Sequence, residues 1–289
     1  MIIDCHAHVG KDIFGERNNI LNFNGTSQEQ KIEELVSKMD NLRVDKCIVY
    51  PFPSPLAQFG EDDFWYHKEN SDLINCIREY ENRLYFIPAF NPSDKKSVNY
   101  ALELIEKYEL KGLKIHTRPT QYDPSLLDTK IIEFPKERDL LLILHIGSGK
   151  ELELKEKGVD ISLTSAMTLA KKYPDVRFVF AHLGRLHESL EEVIDLENVM
   201  VDTSGLSVKK IWKDYSAECA HNKLINLSPE EIISYLVDKG YEDKIMWGSD
   251  EPYGASYEEE LIYVKNNENL TPRQKEKLLS KNAIQWFKL

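Results

Sequence analysis

The stretch LLLILHI, residues 140–146, is a short apolar run that is interrupted only by a histidine. Such runs are typical of strands that are covered on both faces, as the strands of parallel sheets are. Seven similar runs, rich in Ile, Val, Leu and Phe, recur along the chain with helical periodicity between them. The eight predicted strands span residues 2–6, 46–50, 84–90, 112–116, 140–146, 176–182, 199–203 and 244–249. This alternation predicts βα units around a parallel sheet.

Several segments between the predicted strands carry signals for the start of a helix. Residues 228–231 (SPEE) and 271–274 (TPRQ) each place a capping hydroxyl, a proline and then an acid or amide three positions after the cap. An earlier capping box is predicted at Ser27. No linker composition interrupts the 289 residues. We therefore expect one α/β domain over residues 1–289, a (β/α)8 TIM barrel.

The composition excludes several classes of protein. The formal net charge is −12, with 42% hydrophobic and 30% charged residues. An acidic chain is a poor match for nucleic acid, because phosphate binding needs a basic face. The sequence has no signal-peptide pattern and no apolar run of about 20 residues, so no membrane partner and a cytoplasmic location are expected. The four cysteines show no C-x-x-C spacing and are expected to be reduced.

Histidines stand at the ends of several predicted strands. His6 and His8 close the first strand, and alternation along a strand sends both side chains to the same face. An isolated H-x-H pair is more often an ordinary packed or surface feature. Here, however, His145 and His182 end later strands and Asp250 follows the last one. Because the carboxyl ends of barrel strands meet at one mouth, these side chains are expected to converge on a divalent metal ion such as zinc.

Seven motifs are spread over nearly the whole chain. They are DCHAH at residues 4–8, GLKIH at 112–116, ILHIG at 143–147, FAHLG at 180–184, VDTS at 201–204, WGSDEP at 247–252 and KNAIQWF at 281–287. This ordered set resembles the amidohydrolase superfamily. It is most similar to the amidohydrolase-related branch that includes aminocarboxymuconate-semialdehyde decarboxylase, although no single motif is specific alone.

The resemblance implies a set of roles at the mouth of the barrel. His6, His8, His145 and Asp250 would bind one divalent metal ion, zinc or alternatively manganese. His182 would stand beside the metal, where it hydrogen-bonds the substrate or transfers a proton. Asp250 would also carry a proton between a metal-activated water and the leaving group.

Four further residues are predicted to contact the substrate. Lys114 shares the interior face of the fourth strand with His116. Some amidohydrolases carry a carbamylated lysine there that bridges two metal ions, but in the branch resembled here a single metal and a free lysine cation are expected. His116, Arg118 and Arg185 are predicted to bind an acidic substrate. The alternative is that the two arginines pair with acidic loop residues.

Long connections follow the first two predicted strands. In barrels the loops after strands build the active site, so these two are predicted to form walls or a lid, with a mobile surface loop as the alternative. The aromatic residues after strands two, seven and eight are Phe52, Phe59, Phe64, Trp65, Trp212 and Tyr253. They fit either pocket walls or the interface of a homo-oligomer.

Two enzymatic functions fit this set of residues, and the sequence favours hydrolysis. The first is a metal-dependent hydrolase of a small, carboxylate-bearing ester, lactone or amide. The second is a metal-dependent decarboxylase, a carbon–carbon lyase, of an aromatic or unsaturated acid. Both take a small anionic molecule as partner. A metal-binding protein without catalytic activity is the third alternative, which the open ligand set disfavours.

Overall fold

The structure is a computed structural model that describes residues 1–11, 29–52, 64–146, 151–210, 212 and 222–289. The strands in these residues are β1 (Ile3–Lys11), β2 (Glu29–Gln30), β3 (Lys46–Pro51), β4 (Leu84–Phe86), β5 (Gly112–His116), β6 (Leu141–His145), β7 (Arg177–Phe180), β8 (Val199–Asp202) and β9 (Ile245–Met246). Except for the added β2, they lie at the eight predicted places.

Helices alternate with these strands in the described ranges. The α-helices are α1 (Ile32–Leu42), α2 (Phe64–Ile77), α3 (Lys95–Tyr108), α4 (Thr117–Thr120), α5 (Thr129–Arg138), α6 (Glu151–Glu156), α7 (Leu163–Lys172), α8 (Leu190–Ile194), α9 (Pro229–Asp238), α10 (Tyr257–Lys265), α11 (Pro272–Glu276) and α12 (Asn282–Phe287). Short 3-10 turns cover Arg78–Tyr80, Pro124–Leu126, Ala181–Leu186, Leu206–Val208, Lys223–Asn226 and Tyr241–Asp243, and a π-helical turn covers Lys277–Lys281.

Eight parallel strands close into a barrel. The strands pair in the orders β2-β1-β3-β4 and β5-β6-β7-β8-β9, and all described pairs except β1 with β2 are parallel. Parallel bridges join the two sheets at both edges, between Ala7 and Glu251 and between Ala89 and Lys114. At the first of these seams the His8 N–H donates to the Glu251 carbonyl over 2.7 Å. The predicted (β/α)8 barrel is confirmed.

The lower part of the barrel interior is an apolar cluster. Its members on the strands, together with Ile87 directly after β4, are Ile3, Cys5, Ile48, Tyr50, Leu141, Ile143, Val179, Met200 and Met246. Ala283 and Phe287 of α12 belong to the same cluster. The Trp286 indole donates to the Phe178 carbonyl near the start of β7. The last helix therefore covers the amino ends of the strands, and the carboxyl ends form the open mouth.

An irregularity in β1 turns both histidines of the first strand toward the interior. Cys5 belongs to the interior cluster, and strict alternation from Cys5 would send His6 and His8 to the helix side. The register of β1 against β3 shifts between Asp4 and Ala7. Such a shift is a β-bulge, which lets two consecutive residues face the same side. The simple alternation used on the sequence did not predict it.

Two of the three predicted capping boxes are confirmed. Ser228 and Thr271 each accept a hydrogen bond from the backbone of the third helical residue, whose side chain bonds back to the cap. The predicted start at Ser27 is wrong, because Glu29–Gln30 form β2 and α1 begins only at Ile32. Ser27 itself lies outside the described residues.

Three further predictions concern particular segments. Cys5, Cys47 and Cys76 are free thiols, as predicted, and Cys219 lies outside the described residues. Most of the two predicted wall or lid loops, residues 12–28 and 53–63, is also outside them. Among the described helices, none combines the length and the apolar character that a membrane span requires.

Replacing Phe287 with alanine should lower the free energy of unfolding by about 3–5 kcal/mol, because it leaves a cavity at the base of the barrel. Urea denaturation followed by circular dichroism measures this loss. Gln285→Ala, on the exposed side of the same helix, is the matched control and should change stability by less than about 0.5 kcal/mol. Equal stability of the two variants would show that α12 does not close the barrel.

Candidate metal centre

Polar side chains, all buried except the half-buried His145, line the mouth of the barrel at the carboxyl ends of the strands. They are His6 and His8 of β1, Lys114 and His116 of β5, His145 of β6, His182 after β7, Asp202 of β8 and Asp250 after β9. The register of the parallel ladders aligns these ends, so residues far apart in sequence meet in one layer.

His6, His8 and Asp250 form the group with the geometry of a metal site. One ligand atom from each lies within 4.8 Å of the others. The Nε2 atoms of His6 and His8 are 3.3 Å apart. The Asp250 Oδ1 atom lies 3.7 Å from His6 Nε2 and 3.5 Å from His8 Nε2. This arrangement brings three of the four predicted metal ligands together.

Hydrogen bonds on the far side of each ring fix which nitrogen faces the group. His6 Nδ1 donates to the Asp202 carboxylate over 2.9 Å, and His8 Nδ1 donates to the Pro51 carbonyl over 3.0 Å. Since a carbonyl can only accept, the proton of neutral His8 lies on Nδ1. Both Nε2 atoms therefore present lone pairs to the same point, as metal-binding histidines do.

The charge states of these residues fit a divalent cation. Burial, together with the nearby Lys114 ammonium, lowers the pKa of His6 to about 3, so its imidazole is neutral. Burial alone would raise the pKa of Asp250, but the His182, His6 and His8 imidazoles outweigh it and the pKa falls to about 2. Two facing lone pairs and a carboxylate repel one another unless a cation lies between them. Imidazole nitrogen and carboxylate oxygen are donors that zinc accepts.

His145 belongs to a neighbouring hydrogen-bonded group. Its Nδ1 lies 2.9 Å from His182 Nε2, and its Nε2 lies 3.2 Å from Nη2 of Arg185. His182 Nδ1 in turn donates to the Ser204 carbonyl over 3.0 Å. These hydrogen bonds form a series with a fixed donor direction, in which Arg185 donates to His145 and His145 donates to His182. The predicted fourth ligand is thus beside the metal group, with both nitrogens engaged elsewhere.

His182 and Arg185 are held by a left-handed turn. Residues His182 to Leu186 all have positive φ, between 47° and 61°. Only glycine adopts this conformation readily, and other residues lose about 1–2 kcal/mol each. At Gly184 even a Cβ would lie 2.7 Å from the Leu163 side chain. Strain of this kind persists where the surroundings fix the backbone, and here it aims two side chains at His145.

Asp202 connects the two groups. Its Oδ2 accepts from His6 Nδ1, and its Oδ1 accepts from the His182 and Ser204 N–H groups over 2.9 and 3.2 Å. Burial would raise its pKa, but the His6 and His182 imidazoles and the Lys114 ammonium hold it below the usual range. From the sequence, Asp202 is only one of the candidates for a counter-charge to Lys114, and the VDTS motif at the end of a strand is the signal for its position.

Lys114 is a buried cation beside the metal group. Its Nζ lies 3.4 Å from His6 Nε2 and 4.5 Å from the centre of the Tyr50 ring. Burial lowers its pKa to about 8, while the charges of Asp202 and Asp250 oppose that shift. Lys114 is therefore charged at neutral pH and places a positive charge beside the metal group.

The other predicted substrate residues differ in their surroundings. His116 is fully buried, and burial together with nearby Lys114 and His8 places its pKa well below 6.5. Its predicted role in binding an acidic substrate stays a prediction. Arg118 is half-buried in α4. Arg185 bonds His145 and lies 5.8 Å from the Trp212 ring centre, facing the site.

Aromatic side chains border the histidines. The Phe52 ring stacks on His8 at 5.7 Å, and the Tyr253 ring meets His8 edge-on at 5.4 Å. Trp212 lies 6.4 Å from His182. These three contacts support the interpretation of predicted aromatic residues as pocket walls. The remaining predicted wall residues, Phe59, Phe64 and Trp65, lie outside the described side chains.

Several solved structures share this fold. 5-Carboxyvanillate decarboxylase from Novosphingobium aromaticivorans has 17% identity and a TM-score of 0.73, with 100% of this chain and 96% of that chain covered. 2,6-Dihydroxybenzoate decarboxylase from Rhizobium has 12% identity and a TM-score of 0.70, with 99% and 98% covered. A probable 2-pyrone-4,6-dicarboxylic acid hydrolase from Acinetobacter baumannii has 17% identity and a TM-score of 0.64, with 100% and 99% covered.

Family membership follows from the sequence itself. No curated protein matches the chain. The family model described as "Amidohydrolase" matches residues 3–289, which is nearly the full length. The matched range contains every strand, the bulged DCHAH segment and the residues of the metal group, and the resemblance seen in the motifs is confirmed. The chain belongs to the amidohydrolase family.

Proposed function

We propose that this protein is a metal-dependent decarboxylase, a carbon–carbon lyase that acts on a small aromatic or unsaturated acid. The observation that carries this proposal is the combination of flat aromatic walls and two cations, one buried and one half-buried, around one group of metal ligands. Phe52 and Tyr253 flank His8, while Lys114 and Arg185 supply positive charge. A planar anion fits such surroundings.

The ligand group would hold one divalent ion, with zinc as the first candidate and manganese as the second. The 5-carboxyvanillate decarboxylase structure contains manganese, and an amidohydrolase from Burkholderia multivorans contains zinc. His6, His8 and Asp250 would bind the ion, and His145 is proposed as a fourth ligand, which requires that its Nε2 leave Arg185. When bound, the ion would supply positive charge that draws electrons from the reacting acid.

The chain's own residues would bind the acid and move one proton. Lys114 and Arg185 attract the carboxylate, and the aromatic walls exclude water from the ring. As the bond from the ring carbon to the carboxylate breaks, carbon dioxide leaves and the electron pair stays on the carbon. That carbon then takes one proton. Asp250 is ionised at neutral pH, so it would first take this proton from a water molecule, which is left as hydroxide, and then deliver it to the carbon. Its Oδ2 lies 3.9 Å from His182 Nδ1.

Hydrolysis of a lactone, ester or amide is the second candidate, and sequence alone favoured it. One observation supports it: Asp250 is ionised at neutral pH and can accept the proton of an attacking water. His182 would then stabilise charge on the carbonyl oxygen. The aromatic walls are the reason that we place decarboxylation first, since hydrolysis by itself does not call for them.

A panel of carboxylated phenols, dienoic acids and lactones should separate the two reactions. The decarboxylase proposal predicts stoichiometric carbon dioxide and the acid's decarboxylated product from the metal-loaded enzyme. Coupled detection of carbon dioxide with mass analysis of the organic product measures both. Asp250→Asn should reduce turnover by about 100-fold or more, as expected for loss of a proton-transfer group. Hydrolysis of lactones without carbon dioxide release would instead establish the second candidate.

The pH dependence of kcat/KM should show an alkaline limb set by Lys114. The ammonium is charged below its pKa of about 8, so binding of an anionic substrate should weaken as pH rises through that value. Bound metal would move the limb lower, because a second cation disfavours the charged lysine. Lys114→Arg keeps the charge at all working pH values and should remove the limb. An unchanged limb in this variant would exclude Lys114 as its source.

A further inference from the structure

His116 lies among the site histidines and has a different arrangement of partners. Its side chain is fully buried at the end of β5. Its ring centre is 5.8 Å from that of His8 and 6.2 Å from that of His145. The ring therefore borders the same space as the metal group and the Arg185–His145–His182 series. The proposed reaction above gives it no step.

The two ring nitrogens of His116 are unequally satisfied. Nδ1 lies 2.9 Å from the hydroxyl of Tyr66, which α2 brings over the site. The Tyr66 and His116 rings are nearly parallel, with an angle of 11° between them. Nε2 is buried and has no hydrogen-bond partner in the described part of the chain. A buried polar atom without a partner is rare in proteins and indicates a missing ligand or a functional role.

The contact with Tyr66 fixes the position of the proton on His116. A phenol O–H is a stronger acid than an imidazole N–H, and an imidazole nitrogen is a better acceptor than a phenol oxygen. Tyr66 therefore donates to Nδ1, and the proton of the neutral ring lies on Nε2. His116 thus presents a hydrogen-bond donor to the site rather than a lone pair.

The neighbouring rings offer this donor no acceptor. His8 has its Nδ1 on the Pro51 carbonyl and its Nε2 at the metal group. Both nitrogens of His145 are bonded to Arg185 and His182. Lys114, two residues before His116 on the same face, is itself a donor. Within the described residues this donor has no acceptor, and an oxygen atom of a bound molecule would supply one.

We propose that His116 is a hydrogen-bond donor that holds an anionic oxygen of the substrate acid, a carboxylate or phenolate oxygen, through Nε2. Tyr66 is then a positioning residue that fixes the tautomer of His116. This inference rests on the proposed function for the identity of the ligand as an acid. Because the donor is fixed in direction, it selects acids by the place of their oxygen atoms, whereas Lys114 and Arg185 select by charge.

The tautomer can be measured without any substrate. Nitrogen-15 NMR of histidine-labelled, metal-loaded protein should show His116 protonated on Nε2 and unprotonated on Nδ1. Tyr66→Phe, which removes only the hydroxyl, should give a mixture of tautomers. Tyr85→Phe is the matched control, since that hydroxyl contacts Lys46 outside the site, and it should leave His116 unchanged. A wild-type ring protonated on Nδ1 would overturn the proposal.

Ligand binding is tested with sodium formate, the smallest carboxylate, and with 2,6-dihydroxybenzoate. Saturating ligand should move the His116 Nε2–H proton signal downfield. His116→Gln places an amide donor near the Nε2 position and should keep the dissociation constant within about threefold. His116→Asn places the amide near the Nδ1 position and should weaken binding about tenfold or more. An unmoved signal with both ligands, or equal binding by the two variants, would overturn the proposal.

Failure of the proposed function gives a different pattern. If no carbon dioxide is released from any acid, the tautomer of His116 and its response to formate remain valid measurements of the donor. If carbon dioxide is released while Nε2 carries no proton, only the role of His116 and Tyr66 is refuted.

Discussion

The seam between the first and last barrel strands is the constraint on which the metal group depends. The Asp250 N–H donates to the His6 carbonyl over 2.8 Å, so two residues 244 positions apart are joined through the backbone. The buried Asp4 carboxylate holds the same seam, since it accepts from the His6 and Ser249 N–H groups, each over 3.0 Å, and from the Ser249 hydroxyl. His6, His8 and Asp250 can meet only when the barrel is closed, so stability and the metal centre share one set of contacts.

Asp202 is the carboxylate that several of the other polar groups at the mouth of the barrel contact. This carboxylate fixes the tautomer of His6 and holds the backbone of the strained turn that carries His182. Together with Asp250 it balances the buried Lys114 ammonium, which would otherwise be strongly disfavoured in the interior. As a result, each described histidine nitrogen of the site except His116 Nε2 either makes a hydrogen bond or faces the metal group. Such preorganisation is what an active site needs to act on charge without rearrangement.

The periodicity of apolar residues predicted the eight strands, and the layer of histidines followed from their positions at strand ends. The features that the sequence did not predict include two departures from ideal backbone geometry and one shifted pKa. The β1 bulge reverses the facing of His6 and His8 relative to Cys5. The left-handed turn that starts at His182 has no signal beyond one glycine. The lowered pKa of His116 arises from burial and nearby charges, which the sequence alone does not reveal. These features are tertiary, because neighbours distant in sequence impose them.

The metal centre is tested most directly by elemental analysis of protein purified without chelators, with His6→Ala analysed beside the wild type. We expect one zinc or manganese ion per wild-type chain and none in His6→Ala. The variant lacks one of the three close ligands, so it should not hold the ion. Two ions per chain would indicate a second metal beside Lys114, in place of the free lysine. A wild type that binds no ion even after reconstitution, or a His6→Ala variant that retains a full equivalent, would contradict the metal centre described here.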